Sequence, residues 1–188
     1  METYTFTLLL HGANPLLPDN LNALFDAGCD DATFGQRDSL YYADFDRQAP
    51  SFAEAVGSAI RNVEAAVPGL HVVRVEPEEL VSASEIAART GRSRESVRLL
   101  IQARRGPGGF PPPVAWIGGR RPLWRWTDVA NWFFSCLRDE RAATEQASFI
   151  AALNGALEVR SRIAYLAAES ERAEVARVIA QDAELLAV

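Results

Sequence analysis

The chain has 188 residues, of which 48% are hydrophobic and 23% are charged, and its formal net charge is −6. This composition is that of an ordinary globular protein with one or two packed domains, and it excludes an intrinsically disordered chain. No apolar run approaches the length of a membrane-spanning helix, and the run near the start is too short for a signal sequence. We therefore expect a cytoplasmic protein. All nineteen basic residues are arginine, which favours a bacterial source with a GC-rich genome.

Residues 1–76 predict an α+β domain. The apolar patterning indicates strands at 3–10, 31–36, 39–46 and 70–77, and helices at 18–28 and 51–67. Ser51 is the expected N-cap of the second helix. The resulting order, βαββαβ, predicts a ferredoxin-like arrangement in which both helices pack on one face of a four-stranded antiparallel sheet.

The polar residues of this domain do not form a recognisable catalytic pattern. Those of interest are His11, which follows the first strand, and the carboxylate pairs Asp30/Asp31 and Asp44/Asp46. Calcium and magnesium sites require more oxygen ligands in a defined loop, and charged strand residues are common on a solvent-facing side. The sequence also contains no phosphate-binding glycine loop and no nucleophile elbow. We therefore expect no enzymatic activity, no cofactor and no metal.

Residues 81–105 predict two short amphipathic helices that meet at a glycine. Ser82 and Glu85 have the spacing of a capping box, in which each side chain bonds the backbone amide of the other residue. Gly91 supplies the left-handed backbone that a tight turn needs, so the first helix ends there. Ser93 is then the N-cap of the second helix. Two helices joined in this way are typical of a helix-turn-helix.

The second of these helices has one apolar side and one basic side. Val97, Leu100 and Ile101 recur at helical spacing and predict the buried side. The opposite side carries long polar side chains that can reach phosphates or base edges, namely Arg94, Glu95, Arg98, Gln102 and Arg105.

A glycine- and proline-rich link at 106–113 leads into a predicted β-hairpin. Its strands are expected at 114–117 and 123–126, and its tip presents Arg120 and Arg121 to solvent. Thr127 and Asp128 then predict the start of a further helix, whose aromatic residues close a small core.

In this order, the segments SASEIAARTGRSRESVRLLI, GGRRPLWRW and TDVANWF resemble the MerR/excisionase-like family of winged helix-turn-helix proteins, over residues 80–134. The resemblance implies that the second helix enters the major groove of double-stranded DNA and that the hairpin, as a wing, touches neighbouring backbone or minor groove. It implies DNA contacts from Arg94, Glu95, Arg98 and Gln102 of the helix and from Arg120 and Arg121 of the wing. The predicted DNA-binding set also includes Ser93, Arg104 and Arg105. The chain departs from the family in its long proline-rich link.

The charge distribution favours nucleic acid as the partner. Residues 82–126 contain nine arginines and two glutamates, which gives a local charge of +7. Because the whole chain carries −6, the remainder carries −13. Basic charge concentrated on one module of an acidic protein is what binding to a phosphate backbone requires. The alternative is that these arginines form an ordinary solvated surface.

Residues 141–188 are rich in alanine and glutamate and predict two helices. Their apolar stripes require a partner surface, which is either the N-terminal sheet or a second subunit. The chain is thus divided into an α+β domain at 1–76, a winged helix-turn-helix at 80–137 and a helical segment at 141–188. A short linker at 77–80 joins the first two.

We expect a sequence-specific double-stranded DNA-binding protein, a transcriptional regulator that binds as a homodimer through its C-terminal helices or its N-terminal sheet. Two alternatives stay open. One is an antitoxin-like or phage-defence adaptor that binds a protein partner and uses the DNA module to anchor or autoregulate. The other is a small-molecule sensor that uses the N-terminal domain.

Overall fold

The structure is a computed structural model that describes residues 1–76, 80–117, 121–138 and 141–181. Its first part contains β1 (Glu2–Gly12), α1 (Pro18–Asp26), β2 (Ala32–Arg37), β3 (Leu40–Ala49), α2 (Phe52–Ala66) and β4 (Leu70–Glu76). Its second part contains β5 (Leu80–Val81), α3 (Ala83–Arg89), α4 (Arg94–Ile101), β6 (Ala115–Ile117), β7 (Arg121–Arg125) and α5 (Trp126–Leu137). The last two helices are α6 (Arg141–Ile163) and α7 (Glu169–Gln181). The α+β class predicted from the sequence is confirmed.

The first four strands form an antiparallel sheet in the order β2-β3-β1-β4. Alternation along β1 directs Phe6, Leu8 and Leu10 into the core, where all three side chains are buried. α2 packs against this side of the sheet, and α1 packs against α2. As predicted, Ser51 caps α2, because its hydroxyl oxygen accepts a hydrogen bond from the amide of Glu54 at 3.2 Å.

A buried arginine ties the loop before β2 to the sheet. The Nε and Nη2 atoms of Arg47 each donate to a carboxylate oxygen of Asp31 at 2.8 Å, and Nη2 also donates to the carbonyl of Gly28 at 2.6 Å. The guanidinium lies 4.8 Å from the ring centroid of Phe45. Asp31, which the sequence left as a weak candidate for cation binding, therefore serves as the partner of a buried charge.

The two carboxylates of interest on β3 also have partners on the sheet. Asp44 accepts a hydrogen bond from the hydroxyl of Thr7 at 2.6 Å, and Asp46 accepts one from Thr5 at 2.8 Å. Both pairs lie directly across from each other on β1 and β3. Among the described residues, no three His, Cys, Asp or Glu side chains are grouped so as to hold a metal ion.

α6 runs along β4, the edge strand of the sheet. Asn154 donates from Nδ2 to the carbonyl of Val75 and accepts from the amide of Val75 at Oδ1, both at 2.8 Å. Farther along the edge, Arg160 donates to the carbonyl of Val72 at 2.6 Å, and the amide of Val72 donates to Glu64 of α2 at 2.9 Å. Arg160 and Glu64 also form a salt bridge at 2.7 Å. Side chains of α6 and α2 thus satisfy backbone groups that an open sheet edge leaves exposed.

The apolar side of α6 is buried on the N-terminal domain. Ile150 and Leu157 belong to its core, and Phe149 meets Phe52 edge to face with ring centroids 6.0 Å apart. Of the two predicted partner surfaces, the N-terminal sheet and a second subunit, α6 therefore packs on the N-terminal sheet. On α7, by contrast, Val178 and Ile179 are exposed. No helix in the described ranges is both long enough and apolar enough to cross a membrane.

The glycine inside α6 gives a stability prediction. A Cβ atom at Gly155 would meet no heavy atom within 4 Å, and glycine in a helix interior costs about 0.5–1 kcal/mol relative to alanine. We expect Gly155→Ala to raise the free energy of unfolding by about that amount in urea denaturation. The control is Gly12→Ala, which we expect to destabilise, because Gly12 has φ +107° and its Cβ would overlap the carbonyl of Gly69. Unchanged or lowered stability of Gly155→Ala would contradict the prediction.

Candidate nucleic-acid interface

The two short helices of residues 83–101 begin at the predicted caps. Before α3, Ser82 accepts from the amide of Glu85 at 3.3 Å, and the amide of Ser82 donates to the Glu85 carboxylate at 2.6 Å. The second of these bonds is the main cause that lowers the pKa of Glu85. The carboxylate is therefore stabilising above the ordinary glutamate pKa, and its contribution is lost as the pH falls through the lowered value. Before α4, Ser93 accepts from the amide of Ser96 at 3.1 Å, and Gly91 has φ +62° in the turn.

A small core holds α4 in place. Val97 and Leu100 are buried, as predicted, and Ile101 is half-buried against the same cluster. The cluster is completed by Ile86 and Ala87 of α3, Trp124 of β7, and Val129, Trp132 and Phe133 of α5. The orientation of α4 is consequently fixed by aromatic residues that lie more than twenty residues later in the chain.

The exposed side of α4 carries a connected group of polar side chains. Arg98 donates from Nε and Nη2 to both carboxylate oxygens of Glu95, at 2.8 and 2.6 Å, and from Nη1 to the side-chain oxygen of Gln102 at 3.2 Å. The bonds between Arg98 and Glu95 lower the pKa of the Glu95 carboxyl and raise the pKa of Arg98. Arg94 is exposed one turn before Arg98. Four of the predicted site residues therefore share one solvent-facing side of α4 and its C-cap.

Arg105 does not lie on that same side of the helix, so its predicted position is wrong. α4 ends at Ile101 with Gln102 as its C-cap, and Ala103 has φ +52°. The amides of Arg104 and Arg105 both bond back to the carbonyl of Leu99. Because the chain turns at Ala103, Arg104 and Arg105 lie in a turn beyond the helix end, where both are exposed.

The proline-rich link is anchored to the core by one aromatic residue. Phe110 contacts the rings of Trp124, Trp132 and Phe133, with centroid distances of 6.3, 5.0 and 6.3 Å. The two indole N–H groups donate to carbonyls of the link, Trp132 to Gly108 and Trp124 to Pro111, both at 3.0 Å. The added length of the link therefore packs on the aromatic cluster.

The predicted hairpin forms, and a third strand joins it. β6 and β7 pair in an antiparallel register, and β5 pairs with the other edge of β7 through Leu80 and Val81. Sequence reasoning treated Leu80 as linker and missed β5, because two residues give no alternating pattern. Arg120 lies outside the described residues, whereas Arg121 is exposed at the start of β7.

Alternation along β7 places its two arginines on the side of the strand opposite Trp124, together with the half-buried Leu123. Trp124 faces the core, so Arg121 and Arg125 lie together on the opposite side of the strand, where both are exposed. Arg125 was not among the predicted site residues.

The predicted capping of the next helix at Thr127 is wrong, because α5 follows β7 directly with Arg125 at the N-cap position and no side-chain cap.

Two arginines counted in the local charge pack against aromatic rings. Arg89 lies 5.0 Å from the ring centroid of Trp126, and Arg92 lies 5.2 Å from that of Phe133. Both side chains are half-buried. Cation–π contacts of this kind stabilise the module. Among the arginines of the module that the structure describes, the exposed ones are therefore fewer than the sequence count, and they lie on α4, on the turn after it and on β7.

One aromatic residue of the hairpin faces solvent. Trp116 of β6 is 57% exposed, in contrast to the buried Trp124 and Trp132. The sequence analysis did not single it out, because an aromatic residue in a short strand is usually a core residue. The one sequence feature that could have indicated the exposure of Trp116 is its position two residues before the predicted hairpin tip.

The chain matches no protein-family model, no curated protein and no solved structure. The function proposed below rests on the geometry of residues 80–138 and on the charge pattern of the sequence.

The capping box gives a prediction for the stability of this module. Loss of an N-cap hydroxyl costs about 1 kcal/mol, so we expect Ser82→Ala to lower the free energy of unfolding by about that amount in urea denaturation. Ser84→Ala is the control, because Ser84 is exposed within the first turn of α3 and alanine is a better helix former. If both variants lose equal stability, the cap does not hold the start of α3.

Proposed function

We propose that this protein is a sequence-specific double-stranded DNA-binding protein, with α4 as the reading helix and the β6–β7 hairpin as a wing. The observation that carries the proposal is the exposed polar side of α4, on which Arg94, Arg98 and Gln102 follow one another at one-turn spacing. Arginine pairs bidentately with guanine and glutamine with adenine in the major groove. The aromatic cluster beneath α4 supports a rigid presentation of these side chains.

The proposal includes the finer description of the fold. Two helices joined by a tight turn, and a three-stranded sheet in the order β5-β7-β6 whose first strand precedes them, support the proposal of a winged helix-turn-helix at 80–137. The βαββαβ order and the sheet order β2-β3-β1-β4 correspond to a ferredoxin-like domain at 1–76. We further propose a role in bacterial transcription regulation, in the cytoplasm.

The first DNA-binding prediction concerns Arg98. If Arg98 reads a base, Arg98→Ala lowers affinity for a site selected from a random-sequence pool by roughly tenfold more than affinity for random DNA. Fluorescence anisotropy on both DNAs at one salt concentration measures the two losses. Arg104→Ala is the matched control, because Arg104 lies beyond the helix end and is placed to contact phosphate only. We expect this variant to lose affinity for both DNAs equally. Equal losses for Arg98→Ala would mean that Arg98 only positions the helix.

The second concerns the wing. We expect Arg121→Ala to weaken binding to all sequences and to reduce the slope of log K against log salt by up to about one, as for one lost phosphate contact. Arg61→Ala provides the control, because Arg61 is an exposed arginine on α2 in the N-terminal domain. A salt slope identical to that of the wild type would remove Arg121 from the interface.

The third concerns the dimer. Because α6 is buried on the sheet, we propose that α7, with its exposed Val178 and Ile179, pairs two copies. Light scattering is expected to show a dimer for the full chain and a folded monomer for a chain that ends at Ala168. A monomeric full-length chain at micromolar concentration contradicts this assignment. If the truncated chain stays dimeric, α7 does not form the interface. The other predicted interface, the N-terminal sheet, would then be the one to test.

A further inference from the structure

The two histidines of the chain lie opposite each other on neighbouring strands of the N-terminal sheet. His11 of β1 pairs directly with His71 of β4 in the antiparallel register. His11, which was predicted to follow the first strand, lies within it. Directly opposite residues of an antiparallel pair have Cβ atoms about 4.5–5.5 Å apart, so the two imidazole rings are close neighbours.

Both imidazole rings lie on the same side of the sheet. Leu10 precedes His11 and Val72 follows His71, and both of these apolar residues are buried in the core. Alternation along the two strands therefore directs each histidine away from the core. Both histidines are exposed, and both line one cleft of about 390 Å³ beside the C-terminal end of α6.

The charged groups of this cleft are paired with each other. Arg160 of α6 donates from Nη1 and Nη2 to the two carboxylate oxygens of Glu64, at 3.0 and 2.7 Å. One positive and one negative charge therefore offset each other, and the pair does not repel a cation strongly. The described lining also includes the hydroxyl groups of Ser161 and Tyr165, which are hydrogen-bond partners for water.

Two neighbouring imidazole rings in a solvent-filled cleft are suited to a metal ion. Imidazole nitrogen is a preferred ligand of zinc, nickel and copper, and it binds zinc at about 2.0–2.1 Å. Rings on directly opposite residues can reach one ion between them. We propose that His11 and His71 together bind one divalent transition-metal cation of the zinc, nickel or copper type, and that water completes its coordination.

The number of protein ligands determines what such a metal does. Structural zinc sites use four protein ligands and catalytic zinc sites use three, whereas this site uses two. The bound ion is therefore exchangeable, and its binding adds stability to a sheet that forms without it. The site lies outside residues 80–138, so it is independent of the proposed DNA binding.

The test begins with calorimetric titration of the full chain, without an affinity tag, with Zn²⁺ and with Mg²⁺. We expect one Zn²⁺ to bind per chain and Mg²⁺ not to bind at the same concentrations, because Mg²⁺ selects oxygen ligands. Cu²⁺ is expected to bind more tightly than Zn²⁺. The electron paramagnetic resonance spectrum of the Cu²⁺ complex is expected to show two nitrogen ligands.

Two single variants, His11→Asn and His71→Asn, distinguish a shared site from two separate ligands. In a shared site each variant loses affinity for Zn²⁺ by roughly a hundredfold, the gain that simultaneous binding by two ligands provides. Two separate imidazole ligands would instead leave each variant with half the bound Zn²⁺ at unchanged affinity. Because both histidines are exposed, we expect both variants to fold, and urea denaturation without metal checks this.

Cys136→Ser is the matched control. It removes an exposed thiol, another ligand that zinc accepts, from a residue of α5 that does not line the cleft. We expect this variant to bind Zn²⁺ as the wild type does. Zn²⁺ is also expected to raise the melting temperature of the wild type and of Cys136→Ser but not that of His71→Asn.

Four results would overturn the proposal. These are no binding of Zn²⁺ to the wild type, equally tight binding of Mg²⁺, wild-type affinity in either histidine variant, and loss of binding in Cys136→Ser, which would assign the metal to the thiol. An equal rise in the melting temperature of the wild type and His71→Asn would contradict it as well.

Discussion

The paired edge of β4 is the interaction on which the rest of the structure depends. In the register between β1 and β4, Leu10 pairs with Val72 and Leu9 with Arg74, so β4 has one extra residue at this point. In a regular strand, backbone groups on one side recur every second residue. Because of the bulge, Val72 and Val75, which are three residues apart, both direct their backbone groups away from β1. Side chains of α6 and α2 complete those groups. α6 also contacts α5, so this edge connects the N-terminal sheet with the module formed by residues 80–138.

The parts of the structure that follow from local chemistry could be predicted from the sequence. Ser82 and Glu85 bond the backbone within three residues of themselves, and Ser93 does the same, so their side chains act before any tertiary contact is needed. The buried positions Val97 and Leu100 follow from helical spacing alone. The exposed side of α4 was predictable for the same reason.

What the sequence could not reveal depends on contacts between distant residues. β5 forms because β7, more than forty residues later, offers an edge to Leu80 and Val81. The link at 106–113 has no periodic pattern, and its fold is set by the ring of Phe110 in the aromatic cluster and by the two indole N–H bonds to its carbonyls. The choice of α6 between the sheet and a second subunit depends on Asn154 and the free edge of β4, which no helical stripe encodes.

The pairing of Arg98 with Glu95 bears on how α4 discriminates between sequences under the proposed function. In the free protein, Glu95 holds the guanidinium in one orientation beside Gln102, so less side-chain freedom is lost when a base is bound. The same carboxylate penalises wrong partners. A cytosine amino group can donate a hydrogen bond to Glu95 without displacing Arg98. A base edge that offers only acceptors places its oxygen atoms against the Glu95 carboxylate, next to the phosphate backbone, and is repelled. Under the proposed function, repulsion at Glu95 therefore adds to the attraction at Arg98, and both contribute to specificity. An arginine without this neighbour binds phosphate or any guanine more freely and discriminates less.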